Sequence, residues 1–126
     1  MLGFRVRCNL DRAQELVDRG YDALKCSRLE APVQLIRDMR MALGDEIDLM
    51  TDVHGPPWYS VPDAIRVGQE LEEYDILFYE DPVPPENVDA LAKVSAGINV
   101  PLAAGERYTA LWGFREIIER EIVDVV

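Results

Sequence analysis

Apolar positions along this chain switch repeatedly between two periods. Short runs in Phe4 to Cys8, Ala23 to Ser27, Ile47 to Asp52, Ile76 to Glu80 and Val100 to Glu106 read as strands; between them apolar residues recur every three or four positions, the spacing of a helix with one buried face. In the first helical stretch Asp11 can cap and Gln14 can return the bond, Ala13, Leu16 and Val17 share a face, and Gly20 ends it. The second begins at Pro32, which suits a first helical turn, and carries Ile36, Met39 and Leu43 before Gly44. Ser60 and Asp63 resemble a capping box ahead of Ala64, Val67, Gly68 and Leu71. Asn87 to Val94 repeats the pattern through Val88, Leu91 and Ala92. Thr109 is the expected cap of a last helix buried through Leu111, Phe114, Ile117 and Ile118.

Strand followed by helix, five times over, predicts an α/β fold with a parallel sheet, right-handed crossovers and outer helices. A closed (β/α)₈ barrel of the TIM type usually needs about 250 residues, and the chain has 126. It therefore reads as a fragment of such a barrel, about strands one to six. Ile122 to Val126 supports that reading, because it resembles a strand stopped in mid-run. Two unpaired sheet edges would then limit solubility unless a partner covers them.

Composition narrows the functional classes. With 48% hydrophobic and 29% charged residues the chain is ordinary for one globular domain. The net charge of −11 disfavours nonspecific binding to nucleic acid or an anionic membrane surface, since both need a basic face. No apolar stretch reaches the roughly 18 residues of a membrane span, and the first residues lack the apolar segment of a signal peptide, so a cytoplasmic location is expected. Cys8 and Cys26 are too few and too far apart for a zinc motif or a disulfide framework and read as buried thiols.

Three acids, Asp52, Glu80 and Glu106, close the third, fourth and fifth apolar runs, 28 and 26 residues apart. Equivalent ends of neighbouring parallel strands lie about 4.8 Å apart, so the three carboxylates would meet at the C-terminal mouth, where parallel barrels keep their chemistry. One strand-end acid is more often a loop cap or surface charge; three in register after consecutive strands favour a shared cation. An oxygen-only set suits Mg²⁺, with Mn²⁺ as a substitute, and the lack of clustered His or Cys argues against zinc. His54, two residues after Asp52 on the same strand face, is either structural or a proton carrier beside that cation. Lys25, with Ser27 on its face, could neutralise a substrate carboxylate or stand as a solvated strand-end lysine. Trp58, on the loop from His54 to Ser60, either walls the pocket or packs. By alternation Arg107 should point away from Glu106 and serve as a structural ion-pair partner.

The segments Asp52-Val53-His54-Gly55, Tyr79-Glu80-Asp81-Pro82 and Ala103-Ala104-Gly105-Glu106-Arg107 resemble the third, fourth and fifth strand ends of the enolase superfamily, in its mandelate racemase and muconate lactonizing enzyme group. The Asp-x-His pair with two later Glu residues is similar to the acid-sugar dehydratases, of galactonate or mannonate dehydratase type. The resemblance implies that Asp52, Glu80 and Glu106 hold Mg²⁺ and that His54 is the acid assisting loss of the 3-hydroxyl; Lys25 and Trp58, from their place at the same mouth, are the expected substrate contacts. It implies a lyase that removes the α-proton of a sugar acid, passes through an enediolate stabilised by Mg²⁺ and yields a 2-keto-3-deoxy acid. Residues 1–126 would be one partial barrel domain, lacking the capping domain and last barrel strands of a homo-oligomeric parent. The α-proton base of the galactonate-like enzymes is a histidine on a later strand, so the 126-residue chain alone is expected not to catalyse dehydration. Ser27 departs from the Lys-x-Lys pair of racemases and epimerases, and the segment from Ser27 to Pro32 is short. A racemase or epimerase, or a noncatalytic metal-binding or assembly fragment, are the competing readings.

Overall fold

The structure is a computed structural model that describes residues 5–6 and 10–126. The expected first strand is represented by β1 (Arg5–Val6), while Phe4, Arg7 and Cys8 lie outside the described residues. Then follow α1 (Leu10–Asp18), β2 (Ala23–Ser27), α2 (Pro32–Leu43), β3 (Asp48–Asp52), α3 (Val61–Leu71), a short 3₁₀ turn, β4 (Phe78–Glu80), α4 (Val88–Gly97), β5 (Leu102–Ala103) and α5 (Leu111–Glu119). The five described strands pair in chain order, all parallel. A single parallel bridge from Ala103 to Val125 carries the pattern one strand further, inside the run expected from Ile122 to Val126.

Local chemistry accounts for most of these boundaries. Pro32 occupies the first turn of α2, and Gly44 ends that helix at φ 75°, a left-handed conformation that suits glycine. Its backbone N–H donates to the Arg40 carbonyl, and the Arg40 guanidinium donates to the carbonyls of Gly44, Ile47, Tyr74 and Asp75, tying α2 to the turn after α3. Ser60 caps α3 as expected: its hydroxyl accepts from the Asp63 backbone N–H at 3.3 Å and donates to the Asp63 carboxylate at 2.6 Å. Asn87 caps α4 through the Ala90 N–H.

The core lies between sheet and helices. Tyr79, Ile36, Met39, Leu49, Leu71, Leu102 and Ile117 are fully buried there, and Cys26, also buried, donates its S–H to the Met39 sulfur. Helices α3 and α4 approach closely because Gly97 of α4 meets Ile65 of α3, and Gly68 of α3 meets Ile98, the residue just past the end of α4. A Cβ on Gly68 would stand 2.6 Å from Ile98 Cγ2, and one on Gly97 3.0 Å from Ile65.

Four expectations are corrected. Helix α1 opens at Leu10, so Asp11 lies inside it rather than ahead of it, and the Gln14 amide donates to Asp18 one turn on. Strand β5 covers only Leu102–Ala103 instead of Val100 to Glu106: Pro101 has no N–H to give the ladder, although its carbonyl still accepts from Tyr79 N–H, and the Ala104 N–H turns to Val125. Thr109 does not cap the last helix. Turn bonds from Tyr108 N–H to Gly105 and from Gly113 N–H to Ala110 delay its start, leaving Ala110 at the cap position with no side-chain bond. Of the apolar stripe expected on that helix, Ile117 is buried and Phe114 half-buried, but Leu111 and Ile118 are exposed, because no described element packs over their side of the helix.

Candidate metal and acid-base site

Strand register builds the site. Ser27 pairs with Asp52 across β2 and β3, and Asp52 pairs with Glu80 across β3 and β4, so three polar side chains leave the sheet in one row. Lys25, two residues before Ser27, shares its face. From there its ammonium reaches over β3, donating to Glu80 Oε2 at 2.6 Å and standing 3.5 Å from Asp52 Oδ2.

Asp52 is the hub. Its side chain is fully buried, and its oxygens accept from the His54 backbone N–H at 3.2 Å, from His54 Nδ1 at 2.5 Å and from the Ser27 hydroxyl at 3.2 Å. Burial alone would push this carboxyl up, yet the His54 hydrogen bonds, with the charges of His54 and Lys25, outweigh it and hold Asp52 below its ordinary value. With Nδ1–H donating to Asp52, the other ring nitrogen of His54 carries a proton only in the imidazolium form. Glu106 Oε1 lies 3.8 Å from His54 Nδ1. A cavity of about 280 Å³ opens beside this group, with Lys25, Phe78, Glu80, Glu106 and Phe114 on its wall. A larger cavity of about 600 Å³, between α2 and α3 and lined by Leu29, Arg37, Tyr59, Arg66 and Tyr74, shares no residue with it.

The expected residues gather in two linked sets. One oxygen or nitrogen each from Asp52, His54 and Glu106 lies within 4.8 Å of the others; Glu80 joins Asp52 through Lys25 instead. Glu106 enters from the loop after β5 rather than from a strand end. Trp58 is half-buried on the loop between β3 and α3, and the Arg107 guanidinium stacks over its ring at 5.6 Å. Strand alternation does not reach Arg107, because β5 stops at Ala103; the side chain turns back to pair with Glu106 at 3.6 Å, so its ion-pair role stands at the mouth itself.

Asp81, which follows Glu80 in the Tyr79-Glu80-Asp81-Pro82 segment, adds a group for which the sequence signals no role. It is buried, holds φ 48° and has one carboxylate oxygen without a protein partner among the described residues. Burial, then the charges of Glu80 and Asp52, push its carboxyl up to about 6. Strict alternation would have put it on the face opposite Glu80; the left-handed turn before Pro82 removes that rule.

The donor chemistry fits a hard divalent cation. Three carboxylates and one ammonium leave two formal negative charges, largely sheltered from solvent and oxygen-rich, which is the donor type Mg²⁺ takes. His54 adds a nitrogen already engaged by Asp52.

Comparison with known proteins gives the family. Residues 10–126 match the family described as enolase C-terminal domain-like. A D-gluconate/D-galactonate dehydratase from Picrophilus torridus is 33% identical over 93% of this chain and 32% of its own length. For a D-xylonate dehydratase from Haloferax volcanii the identity is 34%, over 86% of this chain and 26% of that one. Among solved structures, a mandelate racemase/muconate lactonizing enzyme-like protein from Roseovarius sp. TM1035 superposes with a TM-score of 0.82 at 33% identity, covering 90% of this chain and 32% of the other. The chain thus spans about a third of the length of the relatives it matches.

Proposed function

The chain belongs to the enolase C-terminal domain-like family, and from that premise we propose that it carries the metal-binding part of a Mg²⁺-dependent dehydratase acting on sugar acids. In this reading residues 1–126 are one partial barrel domain of a cytoplasmic, homo-oligomeric parent. Asp52, Glu80 and Glu106 hold the cation, with Mn²⁺ as a substitute. When bound, the cation offsets negative charge that grows on the substrate carboxylate as the α-proton leaves.

The protein's own groups divide the remaining work. Lys25 presents a second positive charge at the mouth for the substrate carboxylate. Trp58 is not on the cavity wall; held by Arg107, it stands next to Glu106 at the mouth, where it would limit access of water. His54, as imidazolium, donates from the nitrogen not engaged by Asp52 to the departing 3-hydroxyl, so that water leaves and a 2-keto-3-deoxy acid results. Asp52 steadies that imidazolium by accepting from Nδ1. The α-proton base is expected outside residues 1–126, so the chain by itself should not turn over galactonate or mannonate.

The observation that carries this reading is the Asp52 hub, which joins a register-aligned acid, a histidine and a lysine at one strand end. Calorimetric titration of Mg²⁺ into the wild-type chain and Glu80→Gln tests it. The variant is expected to bind at least about tenfold more weakly, the lower end of what even an outer-shell partner of a metal contributes; equal weak binding by both would sink the site.

A racemase or epimerase reading draws support from the name of the Roseovarius relative. It is weakened by Ser27, whose hydroxyl is occupied by Asp52 where a second lysine base would be needed. Exchange of the substrate α-proton in deuterated water by the parent, without elimination, would restore it.

A further inference from the structure

Lys25 and a cation at this site would draw on the same two carboxylates. The ammonium contacts Glu80 Oε2 at 2.6 Å and Asp52 Oδ2 at 3.5 Å, its side chain is only 18% exposed, and the two acids are 0% and 11% exposed. Sheltered charges at such distances interact far more strongly than surface pairs do. A lysine that only met substrate would not need both acids. Ser27 already serves one of the same Asp52 oxygens, so Lys25 adds charge here more than hydrogen-bonding capacity.

Resting on the metal reading above, we infer that Lys25 is a positioning residue that sets the cation affinity of the site. It keeps Asp52 and Glu80 together by cancelling part of their mutual repulsion, and by the same charge it opposes the ion they bind. Two effects of opposite sign follow from its removal. The acids repel each other more without metal, so the chain loses stability; a cation then meets the full charge of three carboxylates, so it binds more tightly. A lysine that acted only by packing would produce the first effect and not the second.

The test uses the 126-residue chain, Lys25→Met, Lys25→Gln and Lys25→Arg. Mg²⁺ binding is followed by calorimetry, Ca²⁺ and Tb³⁺ binding by calorimetry and lanthanide luminescence, and folding by circular dichroism. Both neutral variants should melt earlier without metal, bind Mg²⁺ at least about tenfold more tightly than wild type, and gain more from it in melting temperature. Lys25→Arg should stay near wild type. Because the opposition is electrostatic, the logarithm of the gain should be about 1.5 times larger for Tb³⁺ than for Ca²⁺, in proportion to ion charge. If a neutral variant is unfolded without metal, refolding it with Mg²⁺ supports the inference. Failure to refold, while wild type binds, counts against it. Wild-type binding with equal or weaker binding by folded neutral variants overturns the inference and leaves the metal site standing. No binding by any chain removes the metal site, and the inference falls with it.

Discussion

Carboxylates of identical chemistry receive different surroundings within a few residues here, and each surrounding assigns a different behaviour. Asp52 is surrounded by donors and held ionised. Asp81 is pushed up to about 6 by burial and by its acidic neighbours, against the smaller opposing charges of His54 and Arg107. Tyr79 shows the same principle for a neutral group: its ring is fully buried and its hydroxyl has no partner among the described residues. Tyr79→Phe keeps the ring and removes an unsatisfied polar atom, so unfolding by denaturant should show stability unchanged or raised by up to about 1 kcal/mol. A loss of that size would mean that the hydroxyl is satisfied. The environments of Asp81 and Tyr79 were not legible in the sequence. Asp52, Glu80 and His54 could be singled out because strand register makes their neighbours predictable, whereas the environments of Asp81 and Tyr79 depend on a local left-handed turn and on helix packing.

Helices α3 and α4 interlock through small residues rather than through large ones. Gly68→Ala would gain roughly 1 kcal/mol of helix propensity in an exposed helix, but its Cβ would stand 2.6 Å from Ile98 Cγ2 and 3.3 Å from Ile98 Cβ, which no rotation of that side chain can move. Overpacking of this kind typically costs 1–3 kcal/mol. The variant is therefore expected to lose about 1 kcal/mol in urea unfolding, and Gly68→Ala with Ile98→Val should recover part of that loss. Element boundaries were most legible where capping chemistry is local: Ala23 to Ser27, Pro32, Ser60 with Asp63, and the buried set Ala64, Val67, Gly68 and Leu71 all fall as the pattern predicts. They were least legible from Val100 onward. There Pro101 shortens a strand, two turns displace the Thr109 cap, and a periodic stripe on α5 has no described neighbour to bury it.

At the scale of the molecule that stripe becomes a solution property. Leu111 and Trp112 are about three-quarters exposed and Ile118, two helical turns after Leu111, more than half, and exposed apolar side chains of that kind promote association. The net charge of −11 opposes it at low ionic strength. Sedimentation velocity of the isolated chain should therefore show self-association that grows with salt, and Leu111→Gln with Trp112→Gln and Ile118→Gln should abolish it while leaving Mg²⁺ binding intact; a monomer at all salt concentrations would refute the role of these side chains. The sequence marked Leu111 and Ile118 as apolar at helical spacing, but periodicity reports a face, not whether anything covers it. The row from Ser27 through Asp52 to Glu80 has a different kind of consequence. Since each polar group is placed by pairing with the strand beside it, loops and helices between strands can lengthen, shorten or change sequence without moving the row. A strand-helix unit from a relative could then be grafted in as a cassette, provided its acid keeps the same rung of the ladder, whereas a slip of one rung would turn that acid into the helix layer.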